Sequence, residues 1–406
     1  MNHHSIYLHI PFCRHRCAYC DFNTYAGLDD LIPDYVEALK KEIKMSAKST
    51  RETLPVHTVF FGGGTPSLLS ATAIEEILQT LDGQFDLDAS AEISLEANPG
   101  TLSNSYLRDL RKVGVNRLSL GMQSAQTEEL AFLERQHRFL DVIESVKWAR
   151  QAGFDNLSLD LIFGLPEQRI EAWKSSLSRA LDLAPEHFSL YALTLEHGTP
   201  MQQWAARGLI STPDPDLAAE MYELASEKLT SAGYMQYEIS NWAKEDADGS
   251  IHHPQSATEN PLMACRHNLQ YWRNRPYLGF GAGAHGFVAG YRTSNVLSPA
   301  AYIKRLTRSS GLETFPLTPA TVDLQPIDLQ AEMGETMMMG LRLTREGVSR
   351  YYFTARFGQD LLEKYGAEVN RLIGLDLLEW TGEDGNVLRL TSAGRLLGNR
   401  VFREFV

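Results

Sequence analysis

Cys13, Cys17 and Cys20 stand as C-x3-C-x2-C directly after an apolar run, Ser5-Ile-Tyr-Leu-His-Ile10. Three thiolates on so short a loop can hold three irons of a 4Fe–4S cube, and the fourth iron is then open to another ligand. The alternatives are zinc or buried free thiols. A structural zinc site takes four closed ligands; the only other cysteine, Cys265, lies far along the chain, and His9 and His15 are the histidines near enough to complete a set. Other residues could hold a ligand without a metal. In Gly62-Gly63-Gly64-Thr65-Pro66, backbone amides and carbonyls can approach where any Cβ would collide, although a tight structural turn uses the same residues. Glu96, Gln123 and Asp160 offer directional hydrogen bonds to an amine, a ribose diol or an adenine edge, and Arg135 offers a guanidinium fork for a carboxylate.

These residues need a scaffold, and the chain alternates strand-like with helix-like runs, the pattern of repeated βα units and a parallel sheet. Strands are expected at Ser5–Ile10, His57–Phe61, Glu92–Glu96, Asn116–Leu120, Asn156–Phe163 and His187–Ala192. Between them, Ser70 caps a helix with Ile74, Ile77, Leu78 and Leu81 on one stripe. A second helix runs from Ser103 to Val113 and ends at Gly114; a third, with Val142, Val146 and Ala149 inward, ends at Gly153. Six such units are too few to close an eight-stranded barrel, so the fold class is α/β with an open, partial (β/α)6 barrel. Its site lies at the carboxyl ends of the strands. From Asp328 the texture becomes helical, with a hairpin turn signal at Glu383-Asp-Gly-Asn386 between Leu377–Trp380 and Val387–Leu390. The expected domains are a barrel at 1–240, a connecting region at 241–327, and a mostly helical, winged-helix-like domain at 328–406.

The cysteine spacing resembles that of the radical S-adenosylmethionine (SAM) superfamily. Nearly the whole chain resembles its HemN-like (coproporphyrinogen dehydrogenase-like) branch. The resemblance is carried by Ile6-Tyr-Leu-His-Ile-Pro-Phe-Cys13, the glycine loop, Asn116 to Ser124, Asp160-Leu-Ile-Phe-Gly-Leu-Pro166, Tyr237-Glu-Ile-Ser-Asn-Trp242 and Gly279-Phe-Gly-Ala-Gly-Ala-His285. It implies a 4Fe–4S cluster on the three cysteines with SAM on the open iron. It also implies SAM contacts at Tyr7, Gly63, Gly64, Thr65, Glu96, Gln123, Arg135, Asp160 and Thr194, with Tyr19 flanking the cluster. The chemistry implied is reductive cleavage of SAM to methionine and a 5′-deoxyadenosyl radical.

Two departures separate the chain from the oxygen-independent coproporphyrinogen III oxidases of that branch, the rival reading. Phe22 stands where those enzymes carry a further cysteine, and twelve residues precede Cys13 where they have a long segment. In contrast, Cys265-Arg-His-Asn-Leu-Gln-Tyr-Trp272 resembles the H-N-x-x-Y-W motif of the HemW subgroup of haem chaperones. The resemblance implies haem binding, with His267 as axial ligand, Asn268 orienting its ring, and Tyr271 and Trp272 stacking on the porphyrin. Cys265 is an alternative thiolate ligand, and packing of the loop by His267 and Trp272 is the plain structural alternative. The implied partners are haem-accepting respiratory proteins; membrane contact and a homodimer are left open. The polar stretch containing Glu245-Asp-Ala-Asp-Gly-Ser250 and His252-His253 departs from the HemW pattern and reads as a mobile surface loop.

The bulk composition excludes several classes. A net charge of −13 argues against binding nucleic acid or anionic lipid through excess Lys and Arg. The segment 328–406 carries ten Lys and Arg against twelve Asp and Glu, the wrong balance for a duplex reader. No signal peptide is expected, no apolar run reaches membrane-spanning length, and the cysteines cluster rather than pair, so a reducing cytoplasm is the expected compartment.

Overall fold

The computed structural model describes residues 3–245, 260–309, 311, 313–382 and 384–406. The stretch 246–259, which holds most of the polar insertion and His252-His253, lies outside the described residues, as does Glu383. Contacts divide the chain into two compact units, 1–225 with 276–326 and 226–275 with 327–406, so the region 241–327 is shared between them.

The first unit is built on β1 (His4–Ile10), β2 (Pro55–Gly63), β3 (Asp86–Ala97), β4 (Arg117–Gln123), β5 (Leu157–Phe163) and β6 (His187–Ala192), neighbours in that order and parallel throughout. The six expected βα units are therefore present. Beyond β1 the sheet continues with Tyr277–Phe280, parallel to it, and then with His285–Val288, Tyr291–Asn295 and Thr321–Pro326, each antiparallel to its neighbour. Sequence reading left these four strands unassigned.

Local chemistry sets the helices. Ser70 Oγ accepts from the Ala73 amide at 3.1 Å and starts Ala71–Asp82; Ser103 does the same for Asn104–Lys112. Gly114 and Gly153 follow their helices at φ +108° and +87°, a region that favours glycine. The stripes Ile74, Ile77, Leu78, Leu81 and Val142, Val146, Ala149 are buried. Each large apolar side chain buried in this way contributes about 1.5–3 kcal/mol.

The two faces of the six strands differ. Leu118 and Leu120, Leu157 and Leu159, and Phe188 and Leu190 occupy one face and are buried. The other carries Ser5, Thr58, Glu92, Ser94, Glu96, Arg117, Ser119, Ser158, Asp160, His187 and Ser189. The register pairs Ser5 with Thr58, Ser94 with Arg117, Ser119 with Ser158, and Asp160 with Ser189. A parallel strand buried on both faces reads as a continuous apolar run; the alternation here marks a polar interior.

The second unit contains the hairpin Met235–Glu238 and Asn241–Ala243, the helix Arg266–Trp272, and a sheet in the order Val348–Ser349, Val387–Leu390, Leu378–Thr381. The expected hairpin forms, with Leu378 opposite Leu390 and Thr381 opposite Val387. Helices Leu329–Gly340, Arg350–Phe357 and Leu361–Gly374 pack around a core that includes Met337, Leu341, Leu361, Val369 and Leu388. No helix among the described residues is long and apolar enough to cross a membrane.

Candidate functional site

The loop carrying the three cysteines is folded by a turn in which the Cys20 amide donates to Cys17 O at 3.1 Å. Each sulfur has a polar neighbour. Thr65 Oγ1 donates to Cys13 Sγ at 3.5 Å, Arg135 Nη1 lies 3.9 Å from Cys17 Sγ, and Thr24 Oγ1 lies 3.9 Å from Cys20 Sγ. Burial pushes the Cys13 and Cys20 thiols above their ordinary pKa, against hydrogen bonds that pull them down. Thiolates here need a compensating cation. Among the described residues, no three His, Cys, Asp or Glu side chains converge as they would on a single ion. A cube spreads its thiolates over separate irons, whereas zinc gathers them on one centre.

The histidines that could have completed a zinc set are already engaged. His9 Nε2 lies 2.9 Å from Asn23 O, and a carbonyl only accepts, so Nε2 carries the proton; Nδ1 then accepts from Tyr7 Oη at 3.0 Å. His15 Nε2 pairs with Glu134 at 3.1 Å.

The glycine loop docks on the cysteine strand through Gly64 N to Ile10 O and Thr65 N to Phe12 O, both 2.8 Å. A Cβ on Gly64 would lie 2.6 Å from Phe12 O, and one on Gly63, at φ +110°, would lie 2.5 Å from the His9 ring. The loop therefore admits glycine alone at both positions.

Tyr7, Glu96, Gln123, Arg135 and Asp160 all retain partial exposure, and Tyr7, Glu96, Gln123 and Asp160 do so between buried neighbours on their strands. Glu96 accepts from the Gly63 amide at 3.1 Å. Burial, helped by the charge of Asp160, lifts its pKa to about 7. Asp160 accepts from Ser119 Oγ at 2.8 Å and Ser158 Oγ at 3.2 Å, and burial lifts it to about 6 despite those bonds. Two largely enclosed carboxylates whose charges repel one another favour a cationic ligand. Tyr7 is pushed up by burial and then by Glu96, and Tyr19 is pushed up to about 12 by burial, opposed by Arg135. Gln123 closes β4 at φ +62°, a backbone strain typical of residues held for a site.

Arg135 donates through Nη2 to Gly121 O at 3.2 Å, while its buried Nε meets no acceptor. A guanidinium with an unmatched buried donor, 3.9 Å from the Cys17 sulfur and near enough to Asp160 to act on its charge, suits a zwitterionic ligand whose carboxylate reaches Arg135 and whose cationic part reaches Glu96 and Asp160. These residues fit both a three-thiolate cluster and SAM. Thr194 is exposed beyond β6, and among the described residues no hydrogen bond joins it to this group.

Sequence reasoning missed the support beneath this group: Arg117, Ser119, Ser158 and His187. It also missed Asn23, whose Nδ2 donates to Ala282 O at 3.0 Å and Leu297 O at 2.9 Å, tying the cysteine loop to the Gly279–His285 motif. A Cβ on Gly283 would lie 2.3 Å from Asn23 Nδ2, and one on Gly281 would lie 2.5 Å from His9 O. Behind them Glu42, fully buried, accepts from the Gly281 amide, Asn295, Tyr302 and Thr318 at 2.6–2.9 Å. Its spacing on a helix gave no sign of this.

In the second unit, His267 is buried, with Nε2 2.9 Å from Tyr271 Oη and the two rings edge to face. Cys265 is fully buried, and its amide donates to Tyr237 Oη at 3.3 Å. Asn268 is partly exposed. Trp272 lies under the Arg342 guanidinium at 4.3 Å, and its buried Nε1 meets no acceptor. Arg342 is held by Glu238, a carboxylate without exposed surface. The Tyr237–Trp242 motif thus supports the helix that carries His267, and both candidate iron ligands start from a packed state.

A radical SAM superfamily model matches residues 7–180, and a HemN C-terminal domain model matches residues 327–397. "Heme chaperone HemW" of Bacillus subtilis (strain 168) is 36% identical over 404 residues, spanning 99% of each chain. The protein of the same name from Escherichia coli (strain K12) is 39% identical over 286 residues, spanning 70% of each. Among solved structures, the coproporphyrinogen III oxidase HemN of Escherichia coli, a radical SAM enzyme, superposes with a TM-score of 0.80 at 22% identity, covering 100% of this chain and 90% of that one; that likeness concerns the fold. With one third or more of its residues identical to HemW proteins from end to end, this chain belongs to the HemW family of the radical SAM superfamily.

Proposed function

We propose that the protein is a haem chaperone that holds a 4Fe–4S cluster and SAM in its first unit, binds haem in its second, and passes haem to haem-requiring respiratory proteins. The observation that carries this reading is the likeness to HemW proteins over 99% of the chain. The oxidase alternative is disfavoured at the loop itself, where Phe22, 63% exposed, stands in place of the further cysteine.

When bound, the cluster supplies an electron and an iron with a free coordination position. This chain's residues do the rest. Cys13, Cys17 and Cys20 hold the metal, and Thr65, Thr24 and Arg135 orient donors toward the sulfurs. Arg135 receives a carboxylate, Glu96 and Asp160 receive the cationic part of the ligand, and Gln123 is held in a left-handed conformation to meet its adenosyl portion. Gly63 and Gly64 let the backbone approach. His267 is the haem ligand, and using it requires its hydrogen bond to Tyr271 to open.

A haem titration tests the reading. The purified chain is expected to give a saturable Soret shift that His267→Ala weakens, and anaerobic incubation with coproporphyrinogen and SAM is expected to yield no protoporphyrinogen. Turnover of coproporphyrinogen with no saturable haem binding would overturn it.

A further inference from the structure

Helix Arg266–Trp272 runs into a turn, Arg273-Asn274-Arg275, that is pinned on every side. Asn274 is buried at φ +47°, and its Nδ2 donates to Thr336 Oγ1 at 3.1 Å. Arg356 donates to the carbonyls of Arg273 and Asn274 at 3.3 and 2.7 Å. Glu346 takes Arg273 in a fork at 2.7–3.0 Å, and Glu332 takes Arg356 at 2.6 Å. Two of the three guanidiniums therefore have a carboxylate. Arg275 makes no such direct pair: it is exposed, makes no side-chain hydrogen bond among the described residues, and feels Glu346, already forked on Arg273, only at longer range.

The neighbourhood is also apolar in an unusual way. Tyr351 and Tyr352 are 68% and 73% exposed, with ring centroids 5.5 Å apart and edge to face. Tyr352 shares the helix Arg350–Phe357 with Arg356, whose guanidinium donates to the Arg273 and Asn274 carbonyls, and this brings Tyr352 beside the turn that carries Arg275. Surplus positive charge on a rigid turn beside exposed aromatic rings suits a flat, apolar molecule with carboxylates at its edge.

We propose that Arg275, with Tyr352 beside it, is an outer docking point for haem, where the guanidinium pairs with a propionate and the tyrosine ring lies against the porphyrin. The inference rests on the haem-carrier reading above and adds an exposed first contact to a motif whose iron ligands are buried. An exposed Arg–carboxylate pair contributes modestly, so the expected effect is small and specific.

The test uses the full chain and three probes: ferric haem, metal-free protoporphyrin IX, and protoporphyrin IX dimethyl ester, which has the ring without the charges. Arg275→Gln is expected to weaken binding of haem and of protoporphyrin IX by about fivefold while leaving the ester unchanged. Arg275→Lys, which keeps the charge and loses the fork, is expected to fall between. Equal affinity of wild type and Arg275→Gln for both acids would overturn the proposal, as would an equal loss for the ester. Binding that needs His267 and ignores Arg275 removes only this inference. A wild-type chain that binds no haem removes the carrier reading and the inference with it.

Discussion

Arg135 Nη1 lies 3.9 Å from Cys17 Sγ, and the same guanidinium leaves a buried Nε unmatched. The side chain thus touches the sulfur loop and reserves a donor for something else. A charge-assisted hydrogen bond contributes about 1.5–3 kcal/mol. Arg135→Gln is therefore expected to weaken SAM binding to the anaerobically reconstituted protein at least about tenfold. Iron content should stay unchanged, since Arg135 supplies no ligand to the metal. Equilibrium dialysis with an iron assay on the same sample checks both.

Glu96 and Asp160 set a pH dependence. Burial raises the Glu96 carboxyl from an ordinary 4.5 to about 7 and that of Asp160 from 3.8 to about 6. A raised carboxyl keeps its proton longer in the folded chain than in the unfolded one. Its contribution to stability is complete below the unfolded pKa and is lost as pH rises through the folded value. Ligand-free protein is expected to lose thermal stability between roughly pH 4.5 and 7 from this pair. Glu96→Gln should flatten that slope, which melting curves across the range would measure.

The buried carboxylate of Glu42 joins the helix Ile32–Ser49 to Gly281 and Asn295, which border the loop carbonyls of Ala282 and Leu297 that hold Asn23. Glu42→Ala strands four buried donors at once. A loss of about 3 kcal/mol or more is expected, with reduced iron loading. Gly281→Ala, whose Cβ would meet His9 O at 2.5 Å on a backbone at φ +104°, is expected to act in the same direction. Denaturant unfolding with parallel iron quantification reads both.

His267 is held by Tyr271. Tyr271→Phe keeps a ring and removes the hydroxyl that bonds His267 Nε2. Ferric haem should then bind more tightly, by about fivefold, because one hydrogen bond of about 1 kcal/mol no longer has to break. A Soret titration of this variant beside His267→Ala checks the assignment.

Much of the barrel was legible because strand-like runs and helical stripes alternate with capping serines and terminal glycines at the right places. Ser70, Ser103, Gly114 and Gly153 do what their chemistry implies. The polar inner face was also present, as the alternation in Leu157-Ser-Leu-Asp-Leu161, but single strands could not say which residues would meet across the sheet. Register brought Ser119 and Ser158 to Asp160. Contacts separated by hundreds of residues were beyond reach: Asn23 with Ala282 and Leu297, and Glu42 with Asn295, depend on where the chain returns. Motif reading named His267 as the axial haem ligand but could not show that its ring is buried and held by Tyr271. Sequence carries residue identity and spacing, and burial emerges only when elements meet.

The account turns on a cluster with one iron free of cysteine. Anaerobic reconstitution with iron and sulfide, followed by electron paramagnetic resonance of the reduced protein with and without SAM, tests it most directly. The expected result is about four irons per chain, a reduced-cluster signal whose g-values move when SAM is added, and loss of that signal in Cys17→Ala. Protein that takes up tetrahedral zinc or no metal, or a cluster signal indifferent to SAM, would contradict the account.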